Sequence, residues 1–129
     1  MEILKMEETL KTPSVYFDAD HGLIEMAGKA IPEDSKRFFL PLINWAKSYS
    51  NAPCKKTTVN FRMEYFNTSA SKLILELFKE LETIYKEKHD IVVNWYYEID
   101  DSTMIEALEA YKSMLDIPFI GIETNFPSS

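Results

Sequence analysis

An α/β fold of mixed α+β character, built on a mixed sheet with helices mainly on one face, is predicted by three observations. Strand-like and helix-like segments alternate along most of the chain. The stretches between successive strands are long enough for right-handed crossovers and hence parallel pairing in the second half. The first two strand-like runs, by contrast, are joined only by a short polar turn. At 129 residues the chain is long enough for one well-formed core and too short for two ordinary domains, so a single domain spanning 1–129 is expected.

Each element rests on its own pattern. Ser14-Val15-Tyr16-Phe17 and Leu23-Ile24-Glu25-Met26 flank Asp18-Ala19-Asp20-His21-Gly22 and predict an N-terminal β-hairpin. Phe38, Leu42, Trp45, Ala46 and Tyr49 fall on one helical face. Pro41 must kink that helix or occupy its first turn, and Asn51-Ala52-Pro53 stops it. From Thr57 to Tyr65, the apolar Val59, Phe61, Met63 and Tyr65 alternate with Thr58, Asn60, Arg62 and Glu64, predicting a strand with one wet face. Leu73, Leu77, Phe78, Leu81, Ile84 and Tyr85 make the clearest helix. Ile91–Tyr97 is β-branched and aromatic on both faces and reads as a central, well-covered strand. Thr103-x-x-Glu106 reads as a capping box opening a third helix through Met104, Leu108, Tyr111 and Leu115, and Phe119–Ile122 after Pro118 reads as a last short strand.

Composition excludes several function classes. No run approaches the roughly 18 apolar residues a membrane span requires, and the first residues lack the apolar core and cleavage site of a secretory signal. One cysteine, Cys54, fits a reducing compartment, so a cytoplasmic location is expected with no membrane partner. A formal net charge of −7 disfavours a nucleic-acid partner, because such affinity rests on clustered Lys and Arg.

Few constellations offer chemistry. Asp18–Gly22 begins like a calcium loop, but glycine is fifth instead of sixth and the twelfth residue is Lys29. Asp100-Asp101 suits the start of a helix better than a metal. His21 and His89 are too few for a histidine-built hydrolase centre, and Cys54 beside Lys55 and Lys56 lacks the partners of a nucleophile. An enzyme would have to be assembled from acids, with Asp18, Asp20, Asp100 and Asp101 around a divalent metal as the one arrangement on offer.

The stretch Glu64-Tyr65-Phe66-Asn67-Thr68-Ser69-Ala70-Ser71-Lys72 is richer in hydroxyls than a strand-to-helix junction needs. Asn67 or Thr68 can cap a helix beginning near Ser69, yet one cap suffices and Thr68, Ser69 and Ser71 supply three hydroxyls. A phosphorylation site accounts for the surplus, since a helix N-terminus presents aligned N–H groups and a positive dipole end to a phosphate. Lys72 lies four residues after Thr68, one helical turn on.

These residues, with Pro32–Tyr49 (PEDSKRFFLPLINWAKSY) before them and Val93–Asp101 (VNWYYEIDD) after, resemble the SiaC family of bacterial regulatory phosphoproteins over nearly the whole chain. The resemblance implies a fold like that of STAS-type anti-sigma-factor antagonists. It also implies a phosphorylated threonine at Thr68, and a motif of Tyr65, Phe66, Asn67, Ser69, Ser71 and Lys72 around it. It further implies a SiaB-type kinase, a SiaA-type serine/threonine phosphatase and a diguanylate cyclase as partners, c-di-GMP and biofilm control as the setting, and no catalysis or cofactor of the protein's own. Two positions depart from the family pattern: Ala70 stands where a serine is usual, and Leu108 where a glycine is usual. A purely structural or oligomerising domain, in which Thr68 only caps a helix, is the remaining alternative.

Overall fold

The computed structural model describes residues 1–127. Its strands are β1 (Leu4–Met6), β2 (Ser14–Asp18), β3 (Leu23–Ala30), β4 (Lys56–Phe66), β5 (Asp90–Tyr97) and β6 (Phe119–Glu123), and its helices α1 (Ser35–Ser50), α2 (Thr68–Lys86) and α3 (Ser102–Met114). They form one mixed sheet in the order β1-β2-β3-β4-β5-β6. Pairing is antiparallel from β1 to β3 and parallel from β3 to β6. Three successive crossovers advance in the same direction, and right-handedness therefore places α1, α2 and α3 on one face.

That face holds the core. Val15, Phe17, Ile24, Met26, Val59, Phe61, Met63, Ile91, Val93 and Trp95 alternate into it from the strands, and Phe39, Leu42, Ile74, Leu77, Phe78, Leu81 and Tyr111 meet them from the helices. Trp95 stacks on Phe61 at 4.7 Å between ring centroids and lies within an aromatic cluster with Phe66, Tyr111 and Phe119. The opposite face carries no helix. It is laced by a ladder in which Asn94 donates to Asn60 and Asn60 to Glu25, and by Arg62 lying over the Tyr96 ring.

One strand was missed from sequence, the Pro41 reading is narrowed, and two expectations are corrected. β1 was not legible, because a three-residue run interrupted by Lys5 carries no periodic signal and pairs only where β2 offers an edge. Pro41 lies inside α1, in its second turn, because Asp34 caps the helix several residues earlier by accepting from the Arg37 N–H at 3.1 Å. α3 is capped not by a Thr103–Glu106 box but by Asp101, whose carboxylate accepts from the Met104 N–H at 3.1 Å. β5 lies between two strands but is helix-covered on one face only, so Trp95 is buried while Tyr96 and Tyr97 are half-buried.

Candidate modification and docking site

The junction after β4 is shaped by a bulge. Gly28 pairs with Met63 and Lys29 with Tyr65, leaving Glu64 as an extra residue. Gly28 has φ +117°, a conformation that favours glycine, and a Cβ there would meet a Glu8 carboxylate oxygen at 2.8 Å. The bulge inverts the alternation. Tyr65, expected on the apolar face, turns outward with 46% of its surface exposed. Phe66 turns inward against Phe61, Trp95 and Tyr111 instead.

Asn67 then caps α2. Its side-chain oxygen accepts from the Ala70 N–H at 2.9 Å, and its own N–H donates to the Ala30 carbonyl at 3.0 Å, fastening the cap to the end of β3. Ala70 is fully buried, so a serine there would carry its hydroxyl into the core. The alanine departure thus removes a polar group that burial would penalise.

The three hydroxyls now separate. Ser69 Oγ lies 2.6 Å from Ser35 Oγ, at the start of α1, and 3.1 Å from the Asn67 side-chain oxygen. Ser71 Oγ lies 3.1 Å from the Tyr111 hydroxyl of α3, which donates to the Ser71 carbonyl at 2.8 Å. Burial pushes the Tyr111 phenol above its ordinary range, outweighing the Ser71 hydrogen bond, so it stays a neutral donor. Thr68, the first residue of α2, is exposed, and its hydroxyl has no hydrogen-bond partner among the described residues. Lys72 is exposed one turn further along the same helix.

Ser35 and Tyr111 were not identified from sequence. They lie 34 and 40 residues from their partners, and nothing local marks either as part of the junction. Leu108 is buried in α3 and faces Gly121 of β6, where an added Cβ would come within 3.1 Å of it.

The acidic quartet does not assemble. Asp18 and Asp20 lie at the turn where β2 hands over to β3, the end of the sheet where β4 and β5 begin, whereas Asp100 and Asp101 follow the end of β5. The pairs are at opposite ends of the sheet. Asp18 accepts from the backbone N–H groups of Asp20 and His21, and Asp101 is a helix cap. Among the described residues, no three His, Cys, Asp or Glu side chains group to hold a metal ion, and no helix is long and apolar enough to cross a membrane.

The N-termini of α1, α2 and α3 all open at the carboxyl ends of β3, β4 and β5, the end of a parallel sheet where α/β proteins place their sites. Thr68 stands there between Ser35 and the Asp101 cap. The sequence profile of the SiaC family regulatory phosphoprotein matches residues 6–124. The chain belongs to the SiaC family. It is 24% identical over 119 residues, 92% of this chain and 94% of the other, to an uncharacterised protein of Pseudomonas aeruginosa strain UCBPP-PA14. Among solved structures, SiaC of Pseudomonas aeruginosa superposes with a TM-score of 0.86 at 24% identity, covering 97% of this chain and 100% of that one. The SiaC chain from the crystal structure of the diguanylate cyclase SiaD in complex with its activator SiaC, also from Pseudomonas aeruginosa, gives 0.86 over 94% and 99%. These likenesses establish the six-stranded mixed sheet and three helices as the SiaC fold.

Proposed function

We propose that this SiaC family member is a partner-switching protein without catalytic activity of its own, working in the cytoplasm. Its affinity for a downstream diguanylate cyclase is set by phosphorylation of Thr68. A SiaB-type kinase adds the phosphate and a SiaA-type phosphatase removes it, so that c-di-GMP output and biofilm formation follow the unphosphorylated fraction. The observation that carries this reading is the division among the three junction hydroxyls: Ser69 and Ser71 are held by Ser35 and Tyr111, and of the three only Thr68 is exposed without a hydrogen-bond partner among the described residues. That Asn67 and not Thr68 supplies the cap supports a role for Thr68 other than capping.

The physics of the switch is local. A phosphate on Thr68 sits at the positive end of α2, beside first-turn N–H groups that have no intrahelical acceptor. Lys72, one turn on, offers a point charge. The domain therefore needs no refolding to carry the modification. Releasing a partner about 100-fold requires roughly 2.8 kcal/mol. A phosphate brings about −1.5 to −2 charges, and burying an unpaired charge in an interface costs about 2 to 5 kcal/mol. One modification is enough.

The test has two parts. Treatment with a SiaB-type kinase followed by mass spectrometry should place phosphate on Thr68 and none on the Thr68→Ala variant. Calorimetry against the cyclase should then show tight binding by the unmodified protein and by Thr68→Ala, and about 100-fold weaker binding by the phosphorylated protein. Equal affinities for the two forms would refute the switch.

A further inference from the structure

The two edges of the sheet are guarded unequally. β1 is short, carries Lys5 and is flanked by Glu2, Glu7 and Glu8, the charged protection by which proteins prevent an edge from recruiting another strand. β6 is guarded only at its ends, by Asp116 before it and Glu123 as its last residue. From Ile117 to Ile122 there is no charged side chain, and Ile120 leaves 51% of its surface exposed. The side of each residue facing β5 is fixed by two hydrogen bonds: Val93 N–H donates to the Pro118 carbonyl and Thr124 N–H to the Tyr97 carbonyl, each at 2.9 Å. The alternation of a strand then turns the N–H and C=O groups of Phe119, Gly121 and Glu123 outward. Among the described residues they have no backbone partner on that side.

We propose that β6 is a homodimerisation edge, pairing antiparallel with β6 of a second copy about a two-fold axis through Gly121. The second copy is favoured over a foreign strand because centring the axis on Gly121 pairs the whole edge with itself and keeps the two terminal Glu123 charges apart. Gly121 meets its own equivalent and Phe119 meets Glu123 of the second copy, so every outward N–H and C=O finds a partner. On the helix-free face, Ile120 stands against Ile122 of the second copy, and the same contact repeats across the axis. Gly121 places no side chain at the axis; a Cβ there would lie 3.1 Å from Leu108 and 3.2 Å from Tyr97 on the inner side. The two Glu123 carboxylates are four positions apart along the ladder, about 14 Å, beyond the Debye length of about 8 Å at physiological salt. The sheet becomes continuous across the pair. This edge is on the far side of α3 from the Thr68 junction and is independent of the switch.

Sedimentation velocity over a dilution series should show a reversible monomer–dimer equilibrium. The Ile120→Lys, Ile122→Lys double variant puts charges on the exposed face of the edge. It should weaken self-association by about tenfold or more, equivalent to roughly 1.4 kcal/mol, while leaving the circular dichroism spectrum unchanged. In a Cys54→Ser background, an Ile120→Cys protein mixed with an Ile122→Cys protein should form an intermolecular disulfide faster than either alone, a readout specific to the register. A protein that stays monomeric up to its solubility limit, a dimer indifferent to the lysines, or cross-linking no faster in the mixture would each overturn the proposal.

Discussion

The Asp18–Gly22 turn and the Asn67–Ser71 junction are both short, polar and placed where one element hands over to another, at opposite ends of the sheet. In the turn, the buried polar groups are tied to one another, while the Asp20 carboxylate stays exposed. Asp18 accepts from Asp20, His21 and the His21 ring, Gly22 accepts from Thr58, and the Cys54 thiol rests on the Ala19 carbonyl. At the junction the same kind of inventory is used up to a limit: Asn67, Ser69 and Ser71 are engaged, and Thr68 is left over. A dense polar motif therefore says little about function by its composition. What separates the junction from the turn is an exposed hydroxyl that the fold leaves unengaged; the turn leaves only the Asp20 carboxylate.

The sharpest way to break this comparison is to perturb the turn. Gly22 has φ +61°, and a Cβ there would lie 2.4 Å from the Lys56 carbonyl oxygen, a contact that neither a rotamer change nor a side-chain shift can relieve. Gly22→Ala should lower unfolding stability by about 2 kcal/mol or more, combining left-handed strain with a forced backbone displacement. Urea denaturation measures it. A loss below about 0.5 kcal/mol, the level of an ordinary surface substitution, would mean the turn is as tolerant as a loop.

The junction should respond more gently and unevenly. Asn67→Ala removes the α2 cap and should cost about 1 kcal/mol, whereas Thr68→Ala, deleting an exposed and unengaged hydroxyl, should stay within about 0.5 kcal/mol. The two denaturation curves run side by side give the contrast directly. If Thr68→Ala proved the more damaging, Thr68 would be a structural residue and its availability to a kinase would be in doubt.

Much of the architecture was legible because it depends on periodicity: the hairpin, the three helices and the parallel strands follow the spacing of Val59, Phe61 and Met63 or of Leu77, Leu81 and Ile84. What failed was set by tertiary context. The alternation through β4 pointed Tyr65 inward, and only the bulge opposite Gly28 reverses it; a glycine inside a strand was the available signal. The Thr103 box lost to Asp101 because the chain already turns helical at Ser102. At the site, the excess of hydroxyls could be counted from sequence, and the family resemblance pointed to Thr68. Which hydroxyl the fold leaves unengaged could not be read locally, since the answer depends on Ser35 and Tyr111 arriving from α1 and α3.

The smallest expected effect concerns pH and again distinguishes the two regions. Burial alone would raise the Asp18 carboxyl, but the His21 ring, its charge, and the backbone N–H groups of His21 and Asp20 outweigh it and hold the group below its ordinary value of 3.8. A carboxylate with a depressed folded-state pKa stabilises the protein above its unfolded pKa, and that contribution disappears as pH falls through the folded value. The turn should therefore weaken only in acid, below about pH 4. Asp18→Asn should reduce stability at neutral pH and flatten the acid limb of the unfolding midpoint plotted against pH. The readout is the difference between variant and parent curves, because the remaining acids contribute equally to both. The Asn67–Ser71 junction contains no carboxylate and so supplies no acid limb of its own. Parallel curves for Asp18→Asn and its parent would mean that the turn is held by its backbone alone, and that the two regions differ less than their hydrogen bonds suggest.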